Sequence, residues 1–415
     1  MAASKGASVT NWVSWPWDTV AALILSPGIA LTHPQPHAVV RRARKGGAEV
    51  IGDVELFART IRPAAGTKGL APVVAITGTN GKSTTTALIA HVLNACGFDA
   101  QAGGNIGRPV LDLQPPKNST VYVLETSSYQ IDLSPGLTAD TAVLTNLSPD
   151  HLDRHRTFEA YVNAKARIFE NQQTDDFAVL NADDPACVEL GTRTQAKVLW
   201  FSRKQEVEQG AFARKGEIVF RREGSDEGIM AIGEIPLKGA HNLENVLAAI
   251  CCGALLSCDR AKIRTAVRDF KAVEHRLEYV ATVRGVEYYN DSKATNVDAT
   301  IKALESFPSG VHLVLGGKDK GSDYTVLNDL LRQRVKRVYT IGAAAQKIES
   351  QIKDAVQVVS AATLEAAVKQ AANSAQAGEV VLLAPACASF DQFENYEHRG
   401  RVFKELVRGL PCSAP

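Results

Sequence analysis

No pair of cysteines in this chain has metal-ligand spacing: the seven include the adjacent Cys251 and Cys252 but no CxxC. An odd, scattered set argues against a disulfide framework and for reduced thiols. Neither sign of charge is in excess, and a formal net charge of +1 gives no general reason to expect nucleic acid or an anionic membrane as partner. Long apolar runs are missing too. The longest near the start, residues 20–31, is broken by Pro27 and falls short of a membrane span. The opening MAASKGASVT lacks the charged head and apolar core of a signal peptide. No internal repeat or low-complexity segment stands out. These absences predict a cytoplasmic protein without membrane insertion. At 415 residues and 45% hydrophobic composition, two or three domains are expected.

What is present is alternation. From about residue 72, the runs VVAIT (73–77), VYVLE (121–125), AVLTN (142–146) and FAVLN (177–181) read as buried parallel strands. Between the first two, residues 84–95 put Leu88, Val92 and Ala95 on one helical face. This pattern predicts a doubly wound α/β domain. A less regular stretch, 202–237, carries short strand-like pieces, and a helix is expected over 243–256. A second alternating unit follows Arg276, with strands at 311–317, 335–342 and 380–385 and a helix at 364–375. The reading gives an α/β fold with three parts: an incomplete N-terminal Rossmann-like domain (1–68), a central P-loop-type ATP-binding domain (69–272) and a C-terminal Rossmann-like domain (273–415). In the first part only the strand at 21–25 and a helix at 38–45 are clear, too little for an independent α/β domain.

The strand VVAIT runs into Gly78, Thr79, Asn80, Gly81, Lys82, Ser83 and Thr84, and a helix follows. Glycines let backbone N–H groups turn towards phosphate oxygens, and the helix N-terminus adds partial positive charge. Lys82 suits the β- and γ-phosphates, and the Ser83 hydroxyl suits Mg²⁺. The full GxxxxGK[ST] pattern fails, because Ile76 stands where its first glycine belongs. The shorter TGTNGKST, in strand–loop–helix context, resembles the hallmark of the Mur ligase and folylpolyglutamate synthase superfamily, and the likeness extends from here to the C-terminus. It implies an enzyme that phosphorylates a carboxylate with ATP. An amine then attacks the acyl phosphate, and a tetrahedral intermediate collapses to an amide. The residues alone imply nucleotide binding and no more.

The resemblance assigns further roles. Glu125, at the end of a predicted strand in LETSSYQ, is an oxygen ligand for Mg²⁺. His151, in LSPDHLD, matches a metal-binding histidine beside a second Mg²⁺, while Asp150 and Asp153 shape its loop. Lys165, on a helix expected over 157–171, matches a lysine carbamylated by CO₂. An ammonium ~4 Å from a divalent ion at effective ε of about 20 would be repelled by roughly 8 kcal/mol, and a carbamate reverses that sign. Left unmodified, Lys165 is an ordinary solvated helix lysine. Asn105 in GGNIG is implied to touch a sugar-nucleotide substrate, with Ser127 and Ser128 beside Glu125 serving the same substrate. Asn242 and Asn245 in HNLEN are implied adenine contacts, capping of the helix by Asn242 being the alternative. Arg276 in the HR linker is implied to reach phosphate on domain closure, Asp291 the ribose hydroxyls and Lys293 the reacting phosphate.

The amine-adding segment is more particular. No DNPR-like segment of diamino-acid adders occurs; instead PACASFDQF (385–393) resembles members that add D-glutamate. Ser389 and Phe390 then meet the side-chain carboxylate of the amino acid, and Thr295, Lys320 and Tyr396 complete the pocket. Tyr396 stands where the family usually has Phe. Arg399 and Arg401 are read as surface or helix residues without a role, and Cys387 is read as a small buried residue, since nothing supplies a base for it. The implied substrates are ATP, UDP-MurNAc-L-alanine and D-glutamate, with two Mg²⁺ ions and a monomeric enzyme. A relative adding another amino acid is the alternative within the class, and a nucleotide-binding protein with little turnover the alternative outside it.

The likeness fails at the start. The opening βαβα of the family's first domain, with its Gly-rich loop, has no counterpart upstream of about Trp17. Only SPGIALTHP and GDVELF survive, and Gly28 is the remaining expected contact to the nucleotide of the substrate. A truncated start is the expectation. The alternative is that the short form is the real protein, and then losing two charge-assisted hydrogen bonds at ~1.5–3 kcal/mol each would weaken substrate binding roughly a hundred-fold or more.

Overall fold

The structure, a computed structural model, describes residues 10–62, 69–271 and 273–411. The chain divides into two compact units, one comprising Met1–Glu234 with Glu244–Arg268, the other Ile235–Leu243 with Asp269–Pro415.

The first unit is built on a nine-stranded sheet. In chain order its strands are β3 (Val73–Thr77), β4 (Asp99–Gly104), β5 (Thr120–Glu125), β6 (Thr141–Leu144), β7 (Phe177–Asn181), β8 (Lys197–Ser202), β9 (Gly210–Arg214), β10 (Glu217–Arg222) and β11 (Ser225–Ala231). Their spatial order is β11-β10-β9-β8-β7-β6-β3-β5-β4, parallel from β4 to β9. Every residue of β3, β5 and β6 is buried, as near-continuous apolar runs in a doubly covered sheet should be. The predicted AVLTN strand ends early: Thr145 and Asn146 leave the ladder to serve the site described below. The stretch expected to be irregular is an antiparallel meander of β9, β10 and β11. Its two tight turns, Lys215-Gly216 and Glu223-Gly224, have positive φ at both positions. That is the conformation favoured in two-residue hairpins.

Around residues 10–62, β1 (Ala22–Ile24) and β2 (Glu49–Ile51) pair in parallel, with helices α1 (Ala38–Lys45) and α2 (Asp53–Ile61). They make no compact unit of their own. Trp17, Leu25, Val40 and Leu133 share a core cluster, and the Glu55 carboxylate accepts from the Gly136 N–H at 2.7 Å. Arg62, almost wholly buried, pairs with Asp140. No helix among the described residues is long and apolar enough to cross a membrane.

The second unit carries β12 (Glu278–Val283), β13 (Val286–Asn290), β14 (Val311–Gly316), β15 (Val335–Ile341), β16 (Gln357–Ala362) and β17 (Val380–Leu383). They are ordered β12-β13-β17-β14-β15-β16, and only the β12–β13 pair is antiparallel. Strand β16, with only Ala361 buried, was not legible as a core strand because it lies at an edge.

Candidate functional site

Three neighbouring strands, β5, β3 and β6, send their C-terminal ends to one place, the usual position for ligands in a parallel sheet. The loop after β3 opens helix α3 (Lys82–Ala95). Gly78 has φ +142° and Gly81 +83°. A Cβ on Gly78 would overlap the Thr145 hydroxyl, and one on Gly81 would press on Asn245 Oδ1. Neither position admits a side chain without movement. The loop is bolted to the β6 loop: Thr79 N–H donates to the Asn146 carbonyl (2.8 Å), Asn80 N–H to Asn146 Oδ1 (3.0 Å), and the Thr145 hydroxyl to the Asn80 carbonyl (2.6 Å). Thr79 Oγ1 also lies 3.1 Å from the Tyr161 hydroxyl. Lys82 Nζ donates to the Gly78 and Thr79 carbonyls at 2.9 and 2.7 Å. Ser83 is fully buried and Thr84 nearly so. Asn245, on the helix Ala240–Leu255, accepts from the Thr85 hydroxyl at 3.0 Å and so abuts the same loop.

Behind the loop lies Lys165, on helix α6 (Phe158–Ala166), which is shorter than predicted and runs into a 3₁₀ turn at Arg167–Phe169. Lys165 is 2% exposed. Its Nζ donates to the Gly78 carbonyl at 2.8 Å and Thr77 Oγ1 at 3.3 Å, and it sits 4.8 Å from the centroid of the Tyr161 ring. All its near partners are uncharged. Burial, and then the charge of Lys82, holds its amine well below the usual lysine range, with Asp150 and Glu125 opposing. A solvated surface lysine, the ordinary alternative, is thereby excluded.

Glu125, at the end of β5, is fully buried, and its Oε1 accepts from Asn105 Nδ2 at 2.7 Å. Asn105 thus orients Glu125 while remaining exposed itself. The Ser127 hydroxyl is engaged locally, in a capping box with Gln130 at the start of helix α4 (Ser128–Asp132). His151 caps α5 (Leu152–His155) in a left-handed conformation, φ +52°, with its Nδ1 3.1 Å from the Tyr129 hydroxyl. For a divalent cation the Ser83 hydroxyl and the Glu125 carboxylate are suitable hard oxygen donors. The Lys165 amine offers no oxygen donor. Gly28 lies in the loop after β1, with open space where a Cβ would stand.

The second unit repeats the arrangement. Its loops follow β13, β17 and β14, again three adjacent strands. Arg399 joins them; it lies on a helix, as read, but not at the surface. It is fully buried, donating from Nε to Ser292 Oγ (2.9 Å), from Nη2 to the Ser292 carbonyl (2.7 Å) and from Nη1 to the Cys387 carbonyl (3.2 Å). Burial pushes its guanidinium down to about 10. Its position in helix Tyr396–Arg408 gave no sign of this, because helical spacing does not reveal which loops a face will meet. Lys318 and Ala388 exchange backbone hydrogen bonds at 2.8 and 3.1 Å, bringing the β14 and β17 loops together. The Tyr324 hydroxyl donates to Asp319 Oδ1 at 2.9 Å and lies 2.9 Å from Cys387 Sγ. Burial raises the Cys387 thiol to about 11, which suits a structural rather than a reactive cysteine.

Ser389 is buried beside exposed Phe390 and Lys320, while Thr295 and Tyr396 are half-buried. Lys293 Nζ stands 4.9 Å from the centroid of the Tyr396 ring. Asp291 follows β13, and burial pushes its carboxyl up to about 6 against the nearby Arg276 charge. Asn242 donates from Nδ2 to the Lys238 carbonyl at 2.6 Å, inside the helix rather than at its cap. Residues 76–253 match the Mur ligase middle domain and 275–387 the Mur ligase glutamate ligase domain. A relative named UDP-N-acetylmuramoylalanine--D-glutamate ligase from Koribacter versatilis is 56% identical over 94% of this chain and 83% of its own length. One of the same name from Acidobacterium capsulatum is 50% identical over 93% and 82%. The fold is shared with the MurF ligase from Thermotoga maritima solved with ADP, at TM-score 0.63 and 19% identity, covering 95% of this chain and 99% of that one. With its phosphate loop, buried lysine and both domain matches in one sequence, the chain belongs to the Mur ligase family.

Proposed function

We propose that this protein is an ATP-dependent, ADP-forming carbon–nitrogen ligase that adds D-glutamate to UDP-MurNAc-L-alanine in peptidoglycan precursor synthesis. The observation that carries this reading is the likeness over nearly the whole chain to relatives bearing that name. The alanine carboxylate attacks the γ-phosphorus of ATP, ADP departs, and the amine of D-glutamate attacks the acyl carbon. Phosphate leaves as the amide forms.

Lys82 exchanges its two carbonyl partners for phosphate oxygens, which are stronger acceptors for an ammonium. The N–H groups of residues 78–84 cradle the same phosphates, and Asn242 and Asn245 serve the adenine. Mg²⁺, at two sites in this reading, neutralises charge on the phosphates and the reacting carboxylate. Ser83, Glu125, His151 and carbamylated Lys165 are its proposed ligands. The depressed basicity of Lys165 favours a neutral amine, the form that condenses with CO₂ and releases a proton. Arg276, Asp291 and Lys293 are assigned to the nucleotide, and Gly28, Asn105 and Ser127 to the UDP-substrate. Thr295, Lys320, Ser389, Phe390 and Tyr396 are assigned to the amino acid. Catalysis then rests on positioning and charge neutralisation. We place the protein in the cytoplasm as a monomer.

Phosphate release with ATP, UDP-MurNAc-L-alanine and a panel of amino acids tests the assignment. D-glutamate should dominate. Equal turnover with another amino acid would overturn it.

A further inference from the structure

The turn that carries His151 is docked on helix α4 by contacts that the proposed chemistry does not use. Tyr129 is their centre. Its hydroxyl lies 3.1 Å from His151 Nδ1, and its ring stacks on His155 at 5.7 Å with an interplanar angle of 21°. The Arg154 guanidinium stands 5.2 Å from the centroid of the same ring. Arg154 is only 7% exposed, and its Nε and Nη2 are buried without a hydrogen-bond partner among the described residues. The aromatic face of Tyr129 is therefore a principal contact for a desolvated cation. A second tie runs from His155 Nε2 to Ser128 Oγ at 3.0 Å. All of this braces a four-residue helix, Leu152–His155, flanked by positive φ at His151 (+52°) and Arg156 (+68°). So short a turn has little stability of its own.

We propose that Tyr129 is a positioning residue for His151, acting on the imidazole through Nδ1. The Tyr129 bond occupies Nδ1 and holds the ring, and each direction of that bond goes with one tautomer: the Nε2–H form where the phenol donates, the Nδ1–H form where it accepts. Nε2, the other ring nitrogen, lies 3.8 Å from Asp150 Oδ2. A partner on the second ring nitrogen that fixes ring orientation is the usual support for a functional histidine. Arg154 and His155 hold the phenol ring, so that the hydroxyl has one place to be.

The test compares Tyr129→Phe with the parent enzyme. Phenylalanine keeps the ring under Arg154 and His155 and removes only the hydroxyl. In metal-free protein with ¹⁵N-labelled histidine, His151 signals, assigned by their loss in His151→Asn, should show one dominant tautomer in the parent. In Tyr129→Phe they should show an averaged pair. In turnover, kcat should fall about tenfold with KM for ATP and the melting temperature essentially unchanged. Arg154→Met, which loosens the ring but keeps the hydroxyl, should shift the same signals less. Unaltered His151 signals in Tyr129→Phe, or a parental kcat, would overturn the proposal. The kinetic arm rests on the ligase reading above. The spectroscopic arm needs no substrate, so a failure there is distinct from a failure of that reading.

Discussion

In the first unit, the loops after β5, β3 and β6 are held by hydroxyls, amides and backbone groups, and both Lys82 and Lys165 donate to uncharged acceptors. In the second, the loops after β13, β17 and β14 gather around one buried guanidinium. The first arrangement spreads the work: Thr145, Asn146, Thr79 and Asn80 each contribute several bonds. Lys82 can therefore change partners without disturbing the loop. The second concentrates much of it in Arg399, which bonds the loops of Ser292 and Cys387. A charge proposed for chemistry is separable from the scaffold in the first unit, while in the second a buried charge serves the scaffold itself.

The sharpest way to break this comparison is Lys82→Ala. Product formation should fall by roughly a thousandfold or more, since a preorganised charge on the transferring phosphoryl group is lost. The melting temperature should barely move, because the carbonyls of Gly78 and Thr79 to which Lys82 donates belong to its own loop. Parental turnover in the purified variant would remove the phosphate-loop mechanism altogether. Arg399→Met should give the opposite profile. Ser292 and the Cys387 carbonyl lose buried donors, at ~1–3 kcal/mol for each unsatisfied group, so about 3 kcal/mol of stability should go in urea unfolding. KM for the amino acid should rise with it. Arg399→Lys should not rescue, because one ammonium cannot span the three acceptors that the planar fork reaches.

Asp291→Asn probes a smaller effect and its pH dependence. Burial raises the folded-state pKa to about 6, so folding favours the protonated carboxyl. That contribution is complete below the ordinary value near 4 and is lost as pH rises through 6. At pH 8 the half-buried carboxylate costs up to ~3 kcal/mol. The asparagine variant should therefore melt higher than the parent at pH 8 and close to it at pH 4, while its KM for ATP rises. A pH-independent difference between the two would show that Asp291 does not titrate as its burial implies.

The difference between the units also explains which residues were readable. TGTNGKST was legible because a phosphate loop demands glycine, lysine and hydroxyl at fixed spacing next to a strand. Glu125 was legible from its place at a strand end. Tyr161, Thr145 and Asn146 were missed: a tyrosine on a helix and polar residues ending a strand have many ordinary explanations. Arg399 was misread because arginine is seldom buried. Its three acceptors are backbone and hydroxyl groups that carry no charge signal in the sequence. Asn105 was singled out for a substrate, yet its bond to Glu125 appears only when β4 pairs with β5.

The sequence by itself determined the alternating α/β plan, the phosphate loop and the family, because local spacing and strand–loop–helix order are written along the chain. Only the tertiary structure decided that Lys165 lies against Gly78, far away in the sequence, and that Arg399 ties two loops of the other unit. The physical reason is desolvation. How strongly a buried charge is perturbed, and what it must bond to, depends on everything that packs around it, and no stretch of residues specifies that alone.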